Sequence, residues 1–198
     1  MGEDGPTHQP IEHIVTLRST PNLNNWRPAD LVETAVAWKN AVCSKITPTC
    51  LIFSRQGTSA IGRTSEQISA IEMGGYLLKE KKDNDITIVA SGSEVQLALD
   101  AAKELENKSI NANVVSMPSL DIFLQQSSEF QKMVIDPNKP VLVVECAHPN
   151  SWYKILNRSD KVLGIETFGE SAPGGELLEH FGFNKEKVIQ AAKSLIDD

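Results

Sequence analysis

The sequence predicts an α/β protein: a mostly parallel sheet with helices on both faces, preceded by a partial α/β unit. After residue 75, short apolar runs alternate with segments of helical periodicity. Strands separated by helices form largely parallel sheets that helices cover on both sides. Residues 57–62 are small and polar, which is typical of a linker. We therefore predict two units, residues 1–65 and 70–198, with a boundary near residue 65.

In the first unit, a short helix is predicted over residues 10–18. Pro28 suits the first turn of the next helix, because the missing N–H of proline costs nothing there. Apolar residues then recur at spacings of three and four over residues 31–42, which predicts an amphipathic helix. Residues 49–53 have strand character and end at the polar Ser54-Arg55-Gln56. Such a strand–loop edge is where α/β proteins bind their ligands.

The second unit is predicted to contain strands at residues 76–78, 86–90, 112–116, 141–145 and 162–166. Helices are expected after residue 94, across 119–134, near 152–156, and at 175–181 and 184–196. The turn between the first two strands is too short for a parallel crossover. We therefore expect those two strands to pair with each other, antiparallel, at one edge of the sheet.

Two pairs of residues have the spacing of a capping box: Thr64 with Gln67, and Ser91 with Glu94. The second pair frames a glycine turn whose backbone N–H groups could bind an anion. Because capping explains both side chains fully, the structural interpretation of this turn is preferred.

The composition argues against several function classes. A net charge of −7 without a basic cluster argues against nucleic-acid and membrane-surface partners. The apolar run at residues 141–144 is followed at once by Glu145, so no membrane span is predicted. No secretory leader is predicted either. Three cysteines at irregular spacing favour free thiols in a reducing compartment. A cytoplasmic location is expected by default.

The first ten residues hold the first candidate site. Asp4 and His8 lie in the string GEDGPTHQP, which leads directly into the predicted helix. A histidine titrates in the range that suits proton transfer to and from a substrate hydroxyl. A carboxylate can hold such a hydroxyl in one orientation by accepting its hydrogen bond. From position alone, helix capping by Asp4 or Thr7 is the commoner role.

Arg55 is the second candidate. A guanidinium at the carboxyl end of a strand can grip a terminal phosphate with paired hydrogen bonds. A surface ion pair is an equally good explanation of an arginine at this position.

These segments resemble transketolases. GEDGPTHQP is similar to the transketolase loop that meets the donor sugar. The resemblance continues, in the same order, through Trp26-Arg27-Pro28-Ala29-Asp30, Ser54-Arg55-Gln56, Gly92-Ser93-Glu94-Val95 and Phe168-Gly169-Glu170-Ser171-Ala172-Pro173. It places residues 1–65 at the end of the pyrimidine-binding domain and residues 70–198 in a complete C-terminal domain.

The resemblance implies part of an enzyme that moves a two-carbon ketol unit between sugar phosphates in the pentose phosphate pathway. Thiamin diphosphate and a divalent cation, magnesium or calcium, are the implied cofactors. By the same resemblance, Asp4 contacts the C2 hydroxyl of the donor, and His8 assists the proton abstraction that cleaves the C2–C3 bond. Arg55 is assigned to the phosphate end of the sugar. A homodimer is expected, and residues 169–175 are assigned a structural or interface role.

The resemblance does not extend to the regions that hold the diphosphate, the metal and the aminopyrimidine ring. We therefore predict that the isolated chain is inactive and binds no cofactor. An apolar face in residues 1–60 should lack cover, and this part should be less protected from hydrogen exchange than residues 85–165.

The alternative is a stand-alone, non-catalytic module that binds a partner or a regulatory ligand through residues 70–198. Retention of Asp4, His8 and Arg55 favours the enzyme fragment. One subunit of a split transketolase is a third possibility, less favoured because the break would fall inside a domain.

Overall fold

The computed structural model describes residues 2–197, which contain two β-sheets. The smaller sheet pairs β1 (Asn24–Trp26) with β2 (Thr49–Leu51) in parallel, and α2 (Leu31–Cys43) crosses between them. The larger sheet consists of β3 (Tyr76–Lys79), β4 (Ile86–Ala90), β5 (Ala112–Ser116), β6 (Val141–Val144) and β7 (Lys161–Leu163). Its strand order is β3-β5-β4-β6-β7, and every pairing except β3·β5 is parallel. The predicted fold class is confirmed.

The other helices are α1 (His13–Ser19), α3 (Ser65–Ala70), α4 (Glu94–Glu106), α5 (Leu120–Phe123), α6 (Ser128–Val134), α7 (Gly174–His180) and α8 (Lys185–Asp197). Two 3₁₀ helices lie at Ile71–Met73 and Pro149–Lys154. Neighbouring residues of β4 point to opposite sides of the sheet: Ile88 belongs to the core under α4 and α8, and Val89 to the core under α5 and α6. This alternation follows from the two-residue period of a strand.

The predicted pairing of β3 with β4 is wrong. β3 is an antiparallel edge strand as expected, but its partner is β5, which lies between it and β4. The connection from β3 to β4 passes across the end of β5, where the Lys81 N–H donates to Asn113 Oδ1 at 2.7 Å. The Asp85 N–H also donates to the carbonyl of Asn111 at 2.7 Å. The short connection from β3 to β4 can therefore cross β5, because β5 begins at that point.

The two predicted capping boxes have different outcomes. Thr64 and Gln67 form the predicted box at the start of α3. The box at Ser91 and Glu94 is wrong, because α4 begins after Ser93 without a side-chain cap. Ser91 and Glu94 instead bind distant charged groups in the protein interior.

Two further elements differ from the sequence prediction. β1 was not predicted, because Asn24-Asn25-Trp26 has no apolar alternation. The helical region at 119–134 is divided into α5 and α6. The hydroxyl of Ser127 accepts from the Phe130 N–H at 3.2 Å and so starts a new helix.

An apolar face on the first unit lacks cover in the described residues. Five large side chains of α2 and its surroundings are exposed: Leu31 (83%), Trp38 (52%), Val42 (75%), Ile46 (88%) and Phe53 (47%). Trp38 and Phe53 stack on each other with ring centroids 6.3 Å apart. This surface agrees with the expected uncovered face.

Replacing Leu31 or Val42 by glutamine should therefore change the free energy of unfolding by no more than about 0.5 kcal/mol, because neither side chain packs in a core. The buried Leu105 of α4 serves as the control, and Leu105→Ala should cost about 2–5 kcal/mol. Urea unfolding monitored by circular dichroism measures all three. A loss of 2 kcal/mol in either glutamine variant would show that this face is covered.

Candidate active site

The loop before α1 presents His8 on a tight turn. Gly5 adopts a positive φ of 71°, and its carbonyl accepts the N–H groups of His8 at 3.2 Å and Gln9 at 3.0 Å. The His8 ring is exposed, and its Nδ1 lies 3.0 Å from the hydroxyl of Thr7. The turn thus holds an imidazole at the surface, on the same loop as Asp4.

Arg55 lies just past the carboxyl end of β2, as predicted. The Ile52 N–H extends the β1–β2 ladder by donating to the carbonyl of Trp26 at 2.8 Å. Beyond that bond the chain turns outward, and Arg55 Nη1 forms an ion pair with Asp4 Oδ2. Both side chains are about half exposed, which leaves them accessible to a ligand. The structure therefore brings together two of the three candidate residues, and His8 lies on the same loop.

The segment between β7 and α7 packs against this loop. The Ser171 hydroxyl donates to the carbonyl of Glu3 at 2.5 Å. A Cβ placed on Gly169 would lie 3.8 Å from both Pro6 and the carbonyl oxygen of Gln9, so the two backbones pass close together. The segment to which a structural or interface role was assigned thus contacts the loop that carries Asp4 and His8.

Behind the loop, a buried carboxylate joins α1 and the end of β1 to the larger sheet. Glu145 lies directly after β6 and is 1% exposed. Arg18 of α1 binds both of its oxygens, at 2.7 Å and 2.9 Å. The Trp152 indole N–H and the Ser91 hydroxyl each donate to it at 2.6 Å. Arg18 also stacks over the Trp152 ring, 4.9 Å from its centroid.

Arg27 extends this cluster from the end of β1. Its Nη1 forms an ion pair with Glu94, lies 3.6 Å from Glu145 Oε1, and donates to the carbonyl of Ser91 at 2.6 Å. A Cβ at Gly92, whose φ is +58°, would fall 2.9 Å from the Arg27 guanidinium. The glycine turn before α4 therefore packs against a guanidinium of the same chain.

The charge state of Glu145 follows from its neighbours. Burial alone would raise the pKa of this carboxyl, but the attraction of Arg18 and Arg27, with the Arg18 and Ser91 hydrogen bonds, lowers it to about 2. Glu145 is thus ionised at neutral pH although water is excluded from it. A buried charge of this kind is tolerated only when each of its lone pairs is satisfied.

A second buried cluster joins α2 to the larger sheet. Glu33 is fully buried and accepts from the hydroxyl of Tyr76 at 2.7 Å and of Ser116 at 2.6 Å. Arg63 reaches the same carboxylate at 3.2 Å and pairs with Asp30 at 2.6 Å. Burial and the Glu33 charge raise the pKa of Tyr76, so its hydroxyl stays protonated and donates.

The sequence prediction missed these two clusters. The segment Trp26-Arg27-Pro28-Ala29-Asp30 held one signal, because Arg27 and Asp30 are charged residues among uncharged neighbours. Glu145 directly after an apolar strand was a second signal. The partners of these charges lie too far away along the chain to be paired from spacing.

Within residues 2–197, no three His, Cys, Asp or Glu side chains come together as ligands for a metal ion. The described donor set thus does not fit the divalent cation that the resemblance implies. No helix in the described part of the chain has the length and apolar character to cross a membrane.

Two parts of the chain match models of known protein domains. Residues 1–59 match the transketolase pyrimidine-binding domain, and residues 74–184 match the transketolase-like C-terminal domain. Transketolase 2 of Vibrio parahaemolyticus is 45% identical over 198 residues, which is 99% of this chain and 30% of that protein. This chain thus spans about a third or less of the curated relatives it matches.

Solved transketolase structures have the same fold as this chain. The transketolase of Pichia stipitis in complex with sedoheptulose 7-phosphate aligns with a TM-score of 0.92 at 41% identity, over 99% of this chain and 28% of that one. A split-gene transketolase solved as an inactive β4 tetramer aligns with a TM-score of 0.73 at 26% identity, over 98% of this chain and 64% of that one. The fold is that of the matched pyrimidine-binding and C-terminal α/β domains, and the chain belongs to the transketolase family.

Replacing Glu145 by glutamine should cost about 3–5 kcal/mol at pH 7, because Arg18 would remain buried without its counter-charge. The pKa of Glu145 is lower in the folded chain than in the unfolded chain. Its stabilising effect is therefore complete above about pH 5 and is lost as the pH falls towards 2.

Urea unfolding of the wild type and Glu145→Gln at several pH values between 7 and 2 measures this difference, which should shrink as the pH falls. Glu106→Gln is the matched control, because this exposed carboxyl pairs with Lys79 and Lys81, where solvent screens the charges, so its substitution should change the free energy of unfolding little at any of these pH values. A Glu145→Gln cost that does not vary with pH would contradict the assignment.

Proposed function

We propose that this chain forms the sugar-facing part of a transketolase that transfers a two-carbon ketol unit between sugar phosphates. The observation that carries the proposal is the contact of Arg55, at the carboxyl end of β2, with Asp4 on the loop of His8. A cation for a phosphate and an acceptor for a hydroxyl thus lie in contact, and an exposed imidazole lies on the same loop as the acceptor. The Pichia stipitis relative in complex with sedoheptulose 7-phosphate supports sugar phosphates as the substrate class.

Each residue has a separate task in this proposal. Arg55 binds the terminal phosphate of the sugar through its planar pair of N–H donors. Asp4 accepts a hydrogen bond from a hydroxyl of the donor sugar close to the C2–C3 bond that breaks. His8 takes the proton of a substrate hydroxyl as the C2–C3 bond breaks and returns it when the ketol unit is passed on.

Thiamin diphosphate and the divalent cation are assigned to parts of the enzyme outside this chain. Among the described residues there is no cluster that could ligate the metal. The matched relatives are more than three times as long as the aligned region, which leaves ample chain for such sites. The carbanion chemistry of the cofactor would thus be supplied from there.

The proposal also covers the domains, the cellular location and the oligomeric state of the whole protein. We assign residues 1–65 to the pyrimidine-binding domain and residues 70–198 to the C-terminal domain of a cytoplasmic homodimer. The alternative, a stand-alone module that binds a partner or a regulatory ligand through residues 70–198, is less favoured, because the exposed apolar face around Trp38 and Val42 lies outside that range. A separate subunit, as in the split-gene relative, is the third possibility.

The mass of the native polypeptide in its source cells distinguishes these possibilities. An antibody raised against residues 70–198 should detect a band several times heavier than this 21.7 kDa chain. A band at the mass of the chain itself would favour the module or the separate subunit.

The purified chain should show no ketol transfer with thiamin diphosphate and Mg²⁺. A chimera in which it replaces the aligned region of Vibrio parahaemolyticus transketolase 2 should be active. In that chimera, His8→Ala should lower kcat by about 10²–10⁴-fold, the usual contribution of a proton-transfer group. Turnover by the chain alone, or full activity of the His8→Ala chimera, would refute the assignment.

Arg55→Ala in the same chimera should raise KM for phosphorylated ketoses by about 10–100-fold, since a hydrogen bond to a charged group contributes about 1.5–3 kcal/mol. An unphosphorylated ketose donor is the control, because its turnover does not need Arg55. Equal losses with both donors would show that Arg55 does not bind the phosphate.

A further inference from the structure

We propose that Ser171 is a positioning residue for the sugar-facing loop, acting through Glu3 on Asp4 and His8. This inference rests on the proposed function of those two residues. It gives the C-terminal unit a direct part in arranging the site.

The Ser171 hydroxyl donates to the carbonyl of Glu3, the residue immediately before Asp4. The two residues are 168 positions apart, so this bond is a tertiary contact and does not arise from local turn geometry. Because it is made to the backbone, the bond restrains the course of the loop whatever side chain stands at residue 3.

The surrounding contacts show that the loop is fitted closely to this serine. Gly5 follows Asp4 with a positive φ, and a Cβ placed there would lie 3.4 Å from the Ser171 Cβ. The His148 N–H donates to the carbonyl of Ile11 at 3.0 Å, at the other end of the loop. Residues 3–11 are therefore held at both ends by the C-terminal unit, and His8 lies between the two attachments.

Arg55 is attached in a different way. It follows β2, whose ladder with β1 holds it independently of Ser171. Loss of the serine hydroxyl should therefore disturb Asp4 and His8, whereas Arg55 can lose only its ion pair with Asp4 and keeps its place at the end of β2. Misplacement of a reacting group by about 1 Å can cost about 100-fold in rate, so a single lost hydrogen bond can have a measurable effect.

The first test measures hydrogen exchange in the 198-residue chain. Ser171→Ala should speed exchange of the His8 and Gln9 amides by about fivefold, the ordinary net effect of one hydrogen bond. Ser69→Ala is the matched control, because this exposed hydroxyl also donates to a backbone carbonyl, but within α3. Unchanged exchange at His8 and Gln9 would overturn the proposal.

The second test measures kinetics in the Vibrio chimera. Ser171→Ala should lower kcat by about tenfold, and Ser171→Thr, which keeps the hydroxyl, should restore it. The inhibition constant of inorganic phosphate, a probe for Arg55, should not rise. A kcat that stays unchanged in Ser171→Ala while His8→Ala is impaired would overturn the positioning role alone. Full activity of both variants would overturn the proposed function, and the positioning role with it.

Discussion

The structure depends on one buried carboxylate, Glu145, at the carboxyl end of β6. Removing such a charge from water costs several kcal/mol unless good hydrogen bonds and counter-charges replace the lost hydration. Four residues provide that replacement, and they come from α1, the end of β1, the turn before α4 and a 3₁₀ helix: Arg18, Arg27, Ser91 and Trp152. Because each must reach the same group, the relative placement of these elements is fixed.

The candidate site follows from this arrangement. The loop with Asp4 and His8 leads into α1, which is anchored through Arg18. The loop with Arg55 leaves β2, which pairs with β1 immediately before Arg27. Both loops of the candidate site thus adjoin elements that contact Glu145. Electrostatics in the protein interior therefore sets the geometry at the surface, where the chemistry is proposed to occur.

Sequence reasoning recovered the elements that depend on local patterns. The strand at 112–116, the amphipathic α2 and α8, and the capping box at Thr64 all follow from spacing within one segment. It failed where distant residues decide the outcome. Nothing local says that β5 lies between β3 and β4, or that Ser91 donates to Glu145 and caps nothing. The candidate site residues came from family resemblance, since Asp4 and Arg55 are 51 positions apart and their contact has no local signal.

The two buried clusters also argue against the expectation that residues 1–60 are less protected than the larger sheet. Separation would break the ion pairs of Glu145 with Arg18 and Arg27 and the hydrogen bonds of Glu33 to Tyr76 and Ser116, so the two parts should open together. Native-state hydrogen exchange tests this most directly, by comparing amides of α1 and α2 with those of β4 and β6. We expect them to exchange with similar free energies of opening. Free energies for α1 and α2 several kcal/mol below those of the sheet would contradict the view that Glu145 joins the two units.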